Sequence, residues 1–114
     1  MADEAIPLTP AELHILLGLA EGEQHGYGIM QEVSQRTDGR TKIGPGTLYG
    51  TIKRLLAAGM IVESARRPDP KLDDQRRRYY RLTAIGKRGL AEEIRAMADI
   101  VALARRRRIV VGVP

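Results

Sequence analysis

Between Thr9 and Gly59 the apolar residues recur at helical spacing in three runs, each closed by glycine or a turn. That punctuation limits the fold more than any other feature of the chain. Thr9-Pro10-Ala11-Glu12 is a helix start in which Thr9 caps, Pro10 takes the first helical position and Glu12 closes a capping box. The first helix is expected to run to about Glu21, with Leu13, Leu16, Leu17 and Ala20 as its apolar face and Gly22 as its stop. A second, shorter helix is expected over Gly26–Arg36, with Ile29, Met30 and Val33 inward and Gln31, Glu32, Gln35 and Arg36 outward. Thr37 to Gly39 reads as a turn, and Gly44-Pro45 opens a third helix that Gly59 stops.

At about 100° per residue, Leu48, Ile52, Leu55 and Leu56 share one stripe of the third helix and are expected to pack inward. Gly46, Thr47, Gly50, Lys53, Arg54 and Ala57 fall opposite, with Tyr49 on the flank, so the outward side is small, hydroxylated and basic. Glycine inside a helix costs roughly 1 kcal/mol relative to alanine. Gly50 therefore implies either close approach to a ligand or tight packing on the second helix.

Ile61–Arg67 and Arg76–Leu82 read as two short strands around the loop Pro68 to Gln75, making a hairpin with a long tip. Tyr79 and Tyr80 alternate across the second strand, so one ring is expected to pack on the helices. Thr83 then caps a final helix over Ala84–Arg106. There Leu90, Ile94, Met97, Val101 and Ala104 are spaced four, three, four and three apart, a heptad seam that wants a partner helix. The seam packs either on a second copy or on the first helix of the same chain. Arg88, Glu92, Arg95 and Asp99 line the other side, and residues 107–114 are expected to be a flexible tail. Arg105 to Arg108 suit the negative end of the helix dipole and also suit a contact with DNA or a partner.

Composition removes several classes of function. With no cysteine, disulfide frameworks, thiolate nucleophiles and the common zinc-ligand sets are excluded. Asp3 and Glu4 precede no long apolar run, which argues against a signal peptide or anchor and for a cytoplasmic protein with no membrane partner. The glycines from Gly44 to Gly50 lack the Gly-Lys-Ser/Thr of a nucleotide loop, and His14 and His25 stand apart without a carboxylate pair. Asp73-Asp74 fall at the expected hairpin tip, and a flexible charged tip would not preorganise acid–base chemistry, so they are expected to be solvated loop residues. No metal, cofactor or enzymatic activity is expected. Nineteen Lys and Arg against fourteen Asp and Glu give a net charge of +5, crowded into Lys42–Arg54, Arg66–Arg81 and Arg105–Arg108. That is the footprint of a nucleic-acid partner. Four tyrosines without Phe or Trp make a poor stacking platform for single-stranded RNA and leave double-stranded DNA as the expected partner.

Helix, helix, helix, basic hairpin is the order of a winged helix-turn-helix, so the fold class is mainly α with a small β-hairpin. The expected division is a winged helix-turn-helix domain over residues 8–82, a dimerisation helix over 83–106 and the tail. The third helix is its recognition element, because an α-helix fits the major groove and its N-terminal N–H groups near Gly46 bind phosphate.

Gly44-Pro45-Gly46-Thr47-Leu48-Tyr49, followed by Ile52, Lys53, Arg54, Leu55 and Gly59-Met60-Ile61, resembles the recognition-helix signature of the PadR family of transcriptional regulators. His25-Gly26-Tyr27-Gly28-Ile29 resembles the family's opening of the second helix. Arg78-Tyr79-Tyr80-Arg81-Leu82-Thr83 with Gly86 resembles its second wing strand and the start of the final helix. The resemblance covers roughly Leu8 to Ala104. It departs at Gly50, where the family often has proline, and at Ala57-Ala58, where acidic residues are common.

What the resemblance implies is a homodimer of the short subfamily, usually a repressor, whose C-terminal helix packs on the partner subunit. Carried over residue by residue, DNA contact falls on Gly46, Thr47, Tyr49 and Arg54, with wing support from Arg76, Arg77 and Arg78. The basic stretch adds Lys42 and Lys53. The expected function is sequence-specific binding of a pseudo-palindromic operator, with a small-molecule effector left unspecified. The alternative is a winged-helix protein-interaction module whose basic face binds an acidic protein.

Overall fold

The computed structural model describes residues 7–64 and 78–109. Four helices and three short strands follow in the order α1 (Pro10–Gly18), β1 (Gln24–His25), α2 (Gly26–Arg36), α3 (Pro45–Ala57), β2 (Ile61–Glu63), β3 (Tyr79–Leu82) and α4 (Ala84–Arg106). The fold is the expected one, mainly helical with a small antiparallel hairpin. The hairpin gains an unforeseen third strand, since β1 pairs with β3 to give the order β1-β3-β2. Gln24 stands opposite Tyr80 and His25 opposite Tyr79, while Ile61, Val62 and Glu63 stand opposite Leu82, Arg81 and Tyr80. Two residues carry no alternation, so nothing in the pattern around Gln24 marks a strand. The expected wing tip and the strand ends toward it, residues 65–77, lie outside the described residues, as does the tail from residue 110.

Helix α1 begins as its side chains dictate. The Glu12 N–H donates to Thr9 Oγ1 at 3.1 Å and the Thr9 N–H to Glu12 Oε1 at 2.8 Å, a complete capping box. Its end and its inward face differ from expectation. The helix stops at Gly18 with Leu19 as C-cap, and it buries Ile15 and Leu16, with Leu19 beside them, where Leu13 and Leu17 are only partly covered and Ala20 is exposed. The physical reason is that α1 is apolar around most of its circumference. Packing against α2, α3 and α4, and not periodicity, selects its core residues.

Helix α2 has the expected bounds and buries Ile29 and Val33. Its N-cap is His25, whose Nδ1 accepts the Gly28 N–H at 3.0 Å, and the same ring meets Tyr79 edge to face at 5.3 Å. Helix α3 buries Leu48, Ile52 and Leu55 as expected. Leu56 is exposed, and Thr51, fully buried, closes the stripe on its other edge. Gly59, at φ 74°, turns the chain out of α3 into β2 in the left-handed region that glycine adopts without strain.

Helix α4 starts at the Thr83 cap and runs to Arg106, as its sequence predicts. Only its first half joins the core, through Gly86 and Leu90. Leu90 is 6% exposed and packed within its own chain, which corrects its expected place in an intermolecular seam. It belongs to the core cluster of its own chain, on a helix that packs against α1, so it is covered before any partner arrives. Beyond it Ile94, Met97, Ile100, Val101 and Leu103 are exposed apolar residues, with Ala104 half-buried.

Candidate nucleic-acid interface

The N-terminus of α3 is open to solvent. Gly44 is its N-cap in extended geometry with no side-chain capping bond, and Pro45 follows as the first helical residue. Gly44, Pro45, Gly46 and Thr47 are all exposed, and a Cβ built at Gly44 or Gly46 would meet nothing within 4 Å. First-turn N–H groups have no intrahelical acceptor, so this end presents donors and the positive end of the helix dipole outward.

Along the helix Lys53 and Arg54 are exposed on the same side, and Lys42 is exposed just before it. Gly50 lies between them, and a Cβ there would also meet nothing within 4 Å. That rules out tight packing on α2 as the reason for glycine. The outward face is therefore shallow in the middle and cationic at its edge.

The expected contact residues are not equally presented. Tyr49 is half-buried and its hydroxyl is covered. Its ring lies against the start of α2, where a Cβ at Gly26 would stand 3.1 Å from Tyr49 Cε1 and 3.2 Å from its hydroxyl. Instead of offering that hydroxyl to a phosphate, Tyr49 wedges α3 against α2, because Gly26 leaves room for the ring. Arg54 is 60% exposed at its side chain, with Nη2 donating to Thr51 Oγ1 at 3.1 Å and Nε 3.8 Å from Glu12 Oε2. Arg78 on the wing has its Nε 3.8 Å from Glu63 Oε2. Arg76 and Arg77 lie outside the described residues.

Arg81 and Glu12, which the sequence reading did not assign to this face, belong beside this set. Arg81 is exposed on β3, and strand alternation places it on the same side as Tyr79, away from buried Tyr80. Tyr80 is 3% exposed, and burial, reinforced by the Glu63 carboxylate, pushes its phenol above the ordinary value. Glu12 faces α3 from α1 and reaches Arg54 as well as its own cap. Only the capping role can be read from its local spacing.

His14 and Arg36 tie α1 to α2. Arg36 Nη1 lies 3.0 Å from His14 Nδ1, Nη2 donates to the His14 carbonyl at 3.3 Å, and Nε stands 3.5 Å from Glu32. Burial, followed by the Arg36 charge, holds the His14 imidazole below its ordinary pKa. Both histidines thus serve structural bonds. Among the described residues no group of three His, Asp or Glu side chains is placed to hold a metal ion.

Three packed helices, the third exposed and basic, followed by an antiparallel hairpin, define a winged helix-turn-helix regulator. The chain matches the Transcriptional regulator PadR-like family over residues 15–92 and belongs to that family. It is a transcriptional regulator and not an enzyme. It is 39% identical to transcriptional regulator Rv3488 of Mycobacterium tuberculosis over 88 residues, 77% of this chain and 76% of that protein. Among solved structures, a transcriptional regulator from Clostridium thermocellum is similar with a TM-score of 0.69 at 26% identity, covering 84% of this chain and 87% of that one. Bacillus subtilis PadR, solved in complex with operator DNA, is similar with a TM-score of 0.67 at 25% identity, covering 78% of this chain and 48% of that one. No helix among the described residues is long and apolar enough to cross a membrane.

Proposed function

We propose that this chain is a sequence-specific duplex-DNA-binding repressor that acts as a homodimer on a pseudo-palindromic operator. The observation that carries this reading is the outward side of α3: an open N-terminus at Gly44–Thr47, an uncovered Gly50, and exposed Lys53 and Arg54 on one face. A helix presenting such a face enters the major groove, with its first-turn N–H groups near Gly46 on a phosphate and Thr47 and Arg54 toward base edges. Lys42 and Lys53 neutralise flanking phosphates. Arg78, with Arg76 and Arg77, extends the contact along the wing. The similar Bacillus subtilis PadR, solved in complex with operator DNA, supports DNA as the partner.

The second half of α4 supports the dimer. Ile94, Met97 and Val101 are each about two-fifths exposed and Ile100 is 67% exposed, too much apolar surface on one helix to leave in water. With Ala104 they form the interface, and Leu90 anchors the helix to its own core. Two copies joined there present two recognition helices to successive major grooves, with half-site centres roughly 34 Å apart or a multiple of that. Repression follows from occluding a promoter in the cytoplasm. A small-molecule effector would act by changing the separation of the recognition helices through α4, and the function calls for no cofactor.

Gel-shift titration against duplexes from the gene's own upstream region tests the reading. A specific band should survive excess random duplex. If a dimer neutralises about six to ten phosphates, its affinity should fall roughly 10³- to 10⁵-fold between about 50 and 200 mM salt. Weak shifts removed by random duplex would leave the family assignment standing and direct the search to an acidic protein partner.

A further inference from the structure

We infer that Glu12 and Thr51 are positioning residues for Arg54, holding its guanidinium with one edge free to read a base. The inference rests on the DNA-binding reading above. Arg54 is an exposed side chain on the recognition face, and an exposed arginine ordinarily samples many rotamers. Here two groups from two helices hold it. Thr51, one turn earlier on α3 and fully buried, accepts from Nη2 at 3.1 Å. Thr51 is buried along with Leu48, Ile52 and Leu55 of the same helix, a buried hydroxyl requires a partner, and Arg54 supplies one.

Glu12 supplies the second hold. Its side chain is only 17% exposed, and its Oε1 is already fixed by the Thr9 N–H at 2.8 Å. The capping box therefore orients the carboxylate, and Oε2 stands 3.8 Å from Arg54 Nε. Both N–H groups of Nη1 and one of Nη2 stay free of the described residues. That terminal edge is the one a guanidinium presents in a bidentate contact with guanine O6 and N7. The same carboxylate also sets a negative charge beside the face that approaches phosphates. Charge alone and positioning therefore predict opposite results on removing it: charge predicts tighter binding to every duplex, and positioning predicts lost discrimination at one place.

The test is a base-pair substitution scan, at one salt concentration, of duplexes that the full-length protein enriches from a randomised library. Arg54→Ala should erase preference at one or two base pairs per half-site, roughly 5- to 150-fold. Glu12→Gln keeps the capping box, because glutamine also closes it, and Thr51→Val keeps the side-chain shape. Both should lower discrimination at the same base pairs by about three- to tenfold while the remaining positions keep theirs. Thr51→Ser should retain the preference, and Glu21→Gln, the same charge change on an exposed residue, should leave the profile intact. A uniform change at every position in Glu12→Gln, or an Arg54→Ala profile equal to wild type, overturns the inference with DNA binding intact. Failure of the wild-type protein to enrich any sequence overturns the DNA-binding reading and this inference with it.

Discussion

The Thr83 hydroxyl donates to the Gly59 carbonyl at 2.6 Å while accepting the Gly86 N–H at 3.1 Å, so one side chain joins the exit of α3 to the entry of α4. The Thr83 N–H adds a bond to the Met60 carbonyl at 3.1 Å. This junction sets the angle at which α4 leaves the winged helix and gives α4 and the recognition helix a direct hydrogen-bonded link, beside the packing of both on α1.

Gly86 is the tightest point of that junction. A Cβ there would overlap the Met60 carbonyl, which is backbone and cannot rotate away, and would also crowd Leu82. Gly86→Ala should destabilise the fold by about 1–3 kcal/mol, in the range of core overpacking. Thr83→Ala should cost about 0.5–2 kcal/mol through loss of the cap. Urea denaturation of the two variants checks both values. A Gly86→Ala protein as stable as wild type would show that α4 enters at a different angle.

Gly50 is the opposite case. Because a Cβ there meets open space on a helix of ordinary geometry, Gly50→Ala should stabilise the protein by about 0.4–1 kcal/mol. Under the DNA-binding reading the same methyl group obstructs close approach to the groove, so affinity for the enriched duplexes should fall. Thermal melts and gel shifts on one preparation check the pair. A rise in stability with unchanged affinity would remove Gly50 from the contact face.

The contrast between these glycines shows what the sequence makes legible. Caps were readable, because Thr9 with Glu12 and Thr83 act within one turn of their own positions, and so the starts of α1 and α4 follow from local chemistry. The exposure of Lys53 and Arg54 followed from rotation about a single helix. What was not readable depends on neighbours. Strand β1 exists because β3 passes beside Gln24, the inward turn of Tyr49 exists because Gly26 on another helix leaves space, and Glu12 meets Arg54 only once α1 and α3 are packed. Leu90 illustrates the same limit, since a heptad spacing cannot distinguish the core of one chain from the seam between two.

That distinction makes α4 testable along its length. Leu90→Asp places a charge in the monomer core and should unfold the domain. Ile94→Asp and Val101→Asp alter residues already exposed in one chain and should leave it folded. Under the homodimer reading these two variants should be monomers in sedimentation analysis. They should also lose affinity for a full operator far more than for a single half-site, because one recognition helix then binds without the other. Dimers that persist in both variants would move the interface off this stretch of α4.

His14 gives a pH dependence with a fixed sign. Burial first, and Arg36 second, hold its pKa in the folded chain below the ordinary value of 6.5. Protonation would set a second cation against Arg36 Nη1, now 3.0 Å from the ring nitrogen. The unfolded chain therefore binds a proton at His14 more readily than the folded one, and stability rises with pH over the interval between the two values. The contribution is fully present above 6.5 and is lost as pH falls through the folded pKa. An NMR titration should find the His14 midpoint below 6.5, and urea midpoints should decline on acidification across that window less steeply in His14→Gln than in wild type. A midpoint above 6.5 would mean that the imidazolium is favoured at this position, which requires Arg36 to leave His14 and turn wholly to Glu32.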